Sequence, residues 1–68
     1  MTSRFIALVT VNAANVRSSP SMAASVVELV KNGTELEIID VNADWYKVRL
    51  PDKNEGWVAA DWIVIASR

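Results

Sequence analysis

Tyr46, Val48 and Leu50 alternate with Trp45, Lys47 and Arg49. One set can face a core and the other solvent, which is the two-residue period of a half-buried strand. Pro51-Asp52-Lys53-Asn54 interrupts the run with turn-forming residues, and Glu55-Gly56-Trp57-Val58 resumes it. Two β-rich runs around a short polar loop predict a hairpin. Two of the three tryptophans lie in it, and Trp62 follows closely. The rest of the chain is expected to wrap around this hairpin.

Upstream, Phe5-Ile6-Ala7-Leu8-Val9 opens a first strand, expected over residues 5–12. Ala13 to Pro20 contains one large apolar residue, Val16, and reads as an irregular polar segment that plugs the core with that side chain. Ser18-Ser19-Pro20-Ser21 is turn chemistry, and Met22-Ala23-Ala24-Ser25 is too short to sustain a helix. Val26 to Val30 predicts a second strand. Asn32-Gly33 supplies the positive φ of a tight hairpin turn. Leu36 and Ile38 alternate inward, and Ile39 breaks the alternation, so a bulge is expected near Asp40. Asn42-Ala43-Asp44 forms the next turn. After Val58, the run Ala59 to Ile63 fits a single 3₁₀ turn, Val64-Ile65 a last short strand, and Ala66-Ser67-Arg68 a frayed end. Val11-Asn12-Ala13 recurs as Val41-Asn42-Ala43, but the neighbouring residues differ and no repeat follows. The expected core is Val16, Leu36, Ile38, Val48 and Val58.

Five or six short strands without a helix point to a small all-β barrel. Closure would also remove adhesive sheet edges. Sixty-eight residues hold one domain, residues 1–68, and one small core. The chain is 51% hydrophobic with no cysteine and no histidine. Disulfides, thiolate metal sites and imidazole sites are therefore excluded, and no cofactor or metal is expected. Most nucleophile–base arrangements fall with them. Carboxylate pairs remain, but Asp40 and Asp44 flank a turn and look solvated, so the chain reads as non-catalytic. A net charge of −1 offers no field to attract a phosphate backbone, and nucleic acid is not expected as a partner. Arg4 before an apolar run faintly resembles a signal peptide. The run is about as short as the lower limit for such a segment, however, and a strand is the better reading. Any export signal would then lie on a longer precursor. No run is long enough to span a membrane.

Four blocks, in order, carry a family resemblance. Asn15-Val16-Arg17-Ser18-Ser19-Pro20-Ser21 resembles the opening N-V-R-S-G-P-S signature of bacterial SH3 (SH3b) domains. Lys31-Asn32-Gly33-Thr34-Glu35-Leu36-Glu37-Ile38 is similar to their K-x-G-T turn and strand. Asp44-Trp45-Tyr46-Lys47-Val48 matches their W-Y-K-V block. Glu55-Gly56-Trp57-Val58 matches their G-W-V, with Asp61-Trp62-Ile63 in the closing aromatic–aliphatic position. The likeness covers about residues 9–63. Ser19 stands where the pattern usually has glycine; if that position needs positive φ, serine would be strained there.

The resemblance implies an all-β, SH3-like barrel of five to six short strands with a 3₁₀ turn before the last, and a module that binds rather than catalyses. It implies an extracytoplasmic or cell-envelope setting and a cell-wall (peptidoglycan) peptide or glycan as ligand, with the module positioning a partner domain. The alternative is an intramolecular or homo-oligomeric interaction domain without a free ligand, using the apolar end segments around Phe5, Ile6, Leu8 and Ile63-Val64-Ile65.

Four residues are candidate ligand contacts. Trp45 has the wrong parity for the core, so it is either a platform for an apolar or glycan ligand or a cover over the barrel end. Trp62 either walls the same groove or caps the core. Arg17 either presents a guanidinium to a carboxylate or fixes its loop by stacking on a ring or pairing with Asp61 or Glu55. Asp61 either contacts ligand or caps the short turn. Trp57 also points outward by parity, and the family pattern implies that it packs against Asn15–Arg17.

Overall fold

The computed structural model describes residues 5–67; Arg4, ahead of the first apolar run, and Arg68 lie outside them. In chain order the elements are β1 (Phe5–Val9), β2 (Ala13–Arg17), β3 (Val26–Lys31), β4 (Glu35–Asn42), β5 (Trp45–Arg49), β6 (Glu55–Ala59), a 3₁₀ turn (Ala60–Trp62) and β7 (Ile63–Ser67). All strands pair antiparallel in one sheet of order β3-β2-β6-β5-β4-β1-β7.

Seven strands replace the five or six expected. The extra one is β2, which the sequence reading left irregular. Its alternation is real, with Ala14 and Val16 buried and Asn15 and Arg17 half-exposed. Alanine carries half of that apolar stripe, so the pattern was faint. The last strand also runs through Ala66 and Ser67 instead of fraying, because β7 pairs with β1 from Val9↔Ile63 to Phe5↔Ser67.

The ladder is not a closed barrel. β3 and β7 are its two edges and do not pair with each other. β1 lies between β4 and β7 and has no edge left for β2, while β2 meets β6 at a single pair, Arg17↔Trp57. The expectation that closure hides the edges therefore fails at β3, where Val26, Val27 and Leu29 are exposed.

One core is nevertheless shared by all seven strands. Ala7, Val9, Ala14, Val16, Val30, Leu36, Val48, Leu50, Val58 and Ile63 form a single buried cluster. Of the expected core, Val16, Leu36, Val48 and Val58 are fully enclosed, while Ile38 packs against the cluster half-buried. Enclosing each large aliphatic side chain contributes about 1.5–3 kcal/mol, and the net reserve of a small domain is only a few such contributions.

The turns set which strands meet. Gly33 has φ +89°, and Thr34 N–H donates to Lys31 C=O at 3.1 Å. Yet this turn joins β3 to β4, which are not neighbours, so it is not the hairpin turn expected. It is tied instead to the end of β1, where Gly33 N–H donates to Val9 C=O at 2.8 Å and Asn32 Nδ2 donates to Thr10 C=O at 3.1 Å. The bulge lies where expected: Ile38 pairs with Val48 and Asp40 with Lys47, leaving Ile39 as the additional residue. Ala43-Asp44 closes the β4–β5 hairpin with Ala43 at φ 54°. In the β5–β6 hairpin, Pro51 presets the turn, Lys53 N–H donates to Leu50 C=O at 2.8 Å, and Lys53 takes φ 72°.

Candidate functional site

The β5–β6 register fixes the site. Tyr46↔Val58 and Val48↔Gly56 oppose each other on the inner side, which turns Trp45 and its partner Ala59 outward. The chain then passes into the 3₁₀ turn, where Ala60 N–H donates to Asp44 C=O at 2.8 Å. That bond holds the turn against the β4–β5 hairpin. The far end of the turn is anchored too, since Thr10 N–H donates to Trp62 C=O at 3.0 Å. Trp45, Asp61 and Trp62 are thereby gathered around a pocket of about 290 Å³, with Met22, Asp44, Ala59 and Ala60 completing its lining.

Trp45 and Trp62 are both half-buried. Trp62 also packs against the core, so one ring caps the cluster and lines the pocket together. Asp61 is exposed and does not cap the turn. The residue at the capping position is Ala59, and no side chain bonds the turn's start. Capping by Asp61, one of the two sequence readings, is therefore corrected: Asp61 lies inside the turn, two residues past the capping position.

Arg17 is not among the pocket's lining residues. Its Nη1 donates to Ala24 C=O at 2.8 Å, so it braces the loop between β2 and β3. Ser18 N–H donating to Ser25 C=O at 2.9 Å pinches the base of the same loop. The Nε of Arg17 is buried without a hydrogen-bond partner among the described residues. The loop it braces carries Met22 into the pocket, so Arg17 reaches the site through the backbone it holds.

Trp57 lies opposite Arg17 across the β2–β6 bridge, in the place the sequence pattern implied. Its other neighbour is Lys47, whose Nζ stands 6.0 Å from the ring centroid. Beside it runs a surface row of charge across three strands: Arg49 contacts Glu37 and Glu55, each at 3.3 Å, and Lys47 contacts Glu55 at 3.7 Å. These charges satisfy one another outside the pocket.

Met22, Ala59 and Ala60 join the site without a signal for it in the sequence. Met22 sits in a loop with no periodicity, and its place depends on how that loop folds back. Asp44, which precedes Trp45 at the hairpin turn, is exposed as the sequence suggests and lines the pocket as well. Two other concavities, each of about 370 Å³, are larger than the aromatic pocket. One lies between Phe5, Ile38, Val41, Tyr46 and Ile65 at one end of the inner face, and the other between Leu29, Val30, Leu50 and Pro51. Both are mainly apolar clefts of the open sheet, and neither gathers the tryptophans.

The family model described as bacterial SH3 domain matches residues 12–64. A putative N-acetylmuramoyl-L-alanine amidase, YrvJ, from Bacillus subtilis (strain 168) is 29% identical over 58 residues, which is 85% of this chain and 11% of the amidase. The chain thus spans a small part of that relative's length. The matched family segment runs from just before β2 into β7 and contains Trp45, Asp61 and Trp62, and on that match the chain belongs to the bacterial SH3 domain family.

Proposed function

We propose that this chain is a non-catalytic module that binds bacterial cell-wall material, peptide or glycan, at the Trp45–Trp62 pocket and positions a partner domain there. The observation that carries the reading is the convergence of two half-exposed indoles and Asp61 on one concavity. Aromatic faces of this kind provide apolar contact area at low entropic cost. The amidase relative supports the cell-wall context: the likeness is confined to 11% of that protein, which fits an accessory segment rather than a whole enzyme. The setting proposed is accordingly extracytoplasmic, at the cell envelope. Among the described residues, no helix is long and apolar enough to cross a membrane.

Sedimentation with purified peptidoglycan sacculi tests this. The wild-type protein is expected in the pellet and Trp45→Ala largely in the supernatant, with both folded by circular dichroism. Equal retention of the two proteins, or of neither, rejects the pocket as the wall-binding surface.

A second reading rests on a separate surface. Leu8 and Val64 are exposed on the adjacent strands β1 and β7, on the side away from Phe5 and Ile65, and β7 is a sheet edge. Leu8 and Val64 stand directly opposite each other, which makes an apolar strip suited to a neighbouring domain or a second copy. Sedimentation velocity over a concentration series separates the two copies from the one. A monomer at millimolar concentration removes self-association.

A further inference from the structure

The charges around the aromatic pocket are all of one sign. Asp44 reaches it from the β4–β5 turn and Asp61 from the 3₁₀ turn, while the lining includes no lysine or arginine. Neither carboxylate has an ion-pair or side-chain hydrogen-bond partner among the described residues. This sets them apart from Glu37 and Glu55, which are spent on Arg49 and Lys47 a strand or two away. The same lining holds two indoles, Trp45 and Trp62, the side chains whose π faces attract cations most strongly. Met22, Ala59 and Ala60 supply short apolar walls. At about 290 Å³ the pocket lies at the small end of the ~300–1,000 Å³ range of ligand sites, a size for one side chain or chain terminus.

Resting on the reading that this pocket is the ligand surface, we propose that the group it takes is the protonated primary amine of a peptide. The aliphatic stem packs between Trp45 and Trp62, and the ammonium is shared by Asp44 and Asp61. An anionic ligand group would meet two carboxylates and no compensating cation. A neutral sugar would use the rings and leave both carboxylates without a partner. An ammonium on a short stem uses every element of the pocket.

The test is a titration of the full chain followed by the indole N–H resonances of Trp45 and Trp62, with Trp57 as internal reference. The probes are Nα-acetyl-lysine methylamide, its Nε-acetylated form, and alanyl-alanine amide, which carries a terminal amine in place of a side-chain one. The free-amine probes are expected to shift Trp45 and Trp62 and leave Trp57 in place, and the stronger of them identifies the source of the amine. Acetylation of the amine is expected to weaken binding about tenfold or more, as is the paired substitution Asp44→Asn with Asp61→Asn. Both aspartates are exposed, so this variant keeps the fold, and the unchanged Trp57 signal verifies that. Equal response to free and acetylated amine, indifference to the paired substitution, or no shift with either free amine at about 50 mM overturns the proposal. Sacculi whose amines have been acetylated separate the two levels. Trp45-dependent retention that survives acetylation rejects the ammonium but leaves the wall-binding module standing. Loss of retention for untreated sacculi rejects the module itself.

Discussion

Gly56 on β6 passes beneath Val16 on β2 so closely that a β-carbon there would lie 2.5 Å from Val16 Cγ1. Arg17 C=O and Val27 Cγ2 would stand at 3.0 and 3.1 Å. The β2–β3 pair lies across the main hairpin at this crossing, and β2 is registered to β6 only at Arg17↔Trp57 beside it. Gly56→Ala is therefore expected to destabilise by about 1–3 kcal/mol through overpacking. Combining it with Val16→Ala should cost less than the sum of the two single changes, because the nearest clash is removed. Urea unfolding of the two single variants and the double variant measures this. Simple additivity would mean that Val16 is not what meets the new methyl group.

Val48 is fully enclosed at the centre of the shared core. Val48→Ala is expected to cost about 1–3 kcal/mol, a large part of the reserve of a domain this small. An unchanged melting temperature would show that the inward face of β5 had been misassigned.

Two turns make opposite predictions from backbone geometry alone. Gly33 has φ +89° with nothing within 4 Å of a built β-carbon, so Gly33→Val should destabilise by about 1–2 kcal/mol through conformation and not through crowding. Ala43 already holds φ 54° without being glycine. Ala43→Gly should relieve strain and stabilise by up to about 1 kcal/mol, after subtracting the greater freedom of glycine in the unfolded chain. Thermal melts of both variants give the signs directly.

Arg49 bridges Glu37 and Glu55 across three neighbouring strands, but it does so at the surface. Arg49→Gln should change stability by less than about 1 kcal/mol, and the difference should shrink in 1 M salt, where screening acts within about 3 Å. A larger loss that persists in salt would indicate that the arginine stem packs more than its charge pairs.

Arg17 braces the loop that brings Met22 to the pocket. Arg17→Ala is expected to weaken retention on sacculi while leaving the Trp45 indole environment nearly unchanged. A direct ligand role would instead make the effect depend on a ligand carboxylate, which is readable by esterifying the sacculi.

Much of the chain was readable because it depends on near neighbours. The alternation of Trp45 to Leu50, the bulge at Ile39 and the 3₁₀ turn before Ile63 follow from side chains one to three positions apart. The outward parity of Trp45 belongs with them. Residue order along the chain also held the ordered blocks through which the bacterial SH3 family was recognisable. The strand at Ala13–Arg17 escaped because two of its five residues are alanine, which is too small to stand out as an apolar stripe.

Tertiary structure alone decided which strands became neighbours, and with that the outcome of the barrel. Asn32-Gly33 makes its turn, but the strands on either side of it pair elsewhere, and β7 takes the free edge of β1 so that the ladder stays open. The pocket is a non-local product as well. Met22, Asp44 and Asp61 are distant in sequence and meet through Arg17 bracing one loop and Ala60 bonding to Asp44 at another. Periodicity reports the face on which a side chain lies. The partner it meets is set by contacts between distant residues competing for the same edges and the same core, and no window of the chain contains that competition.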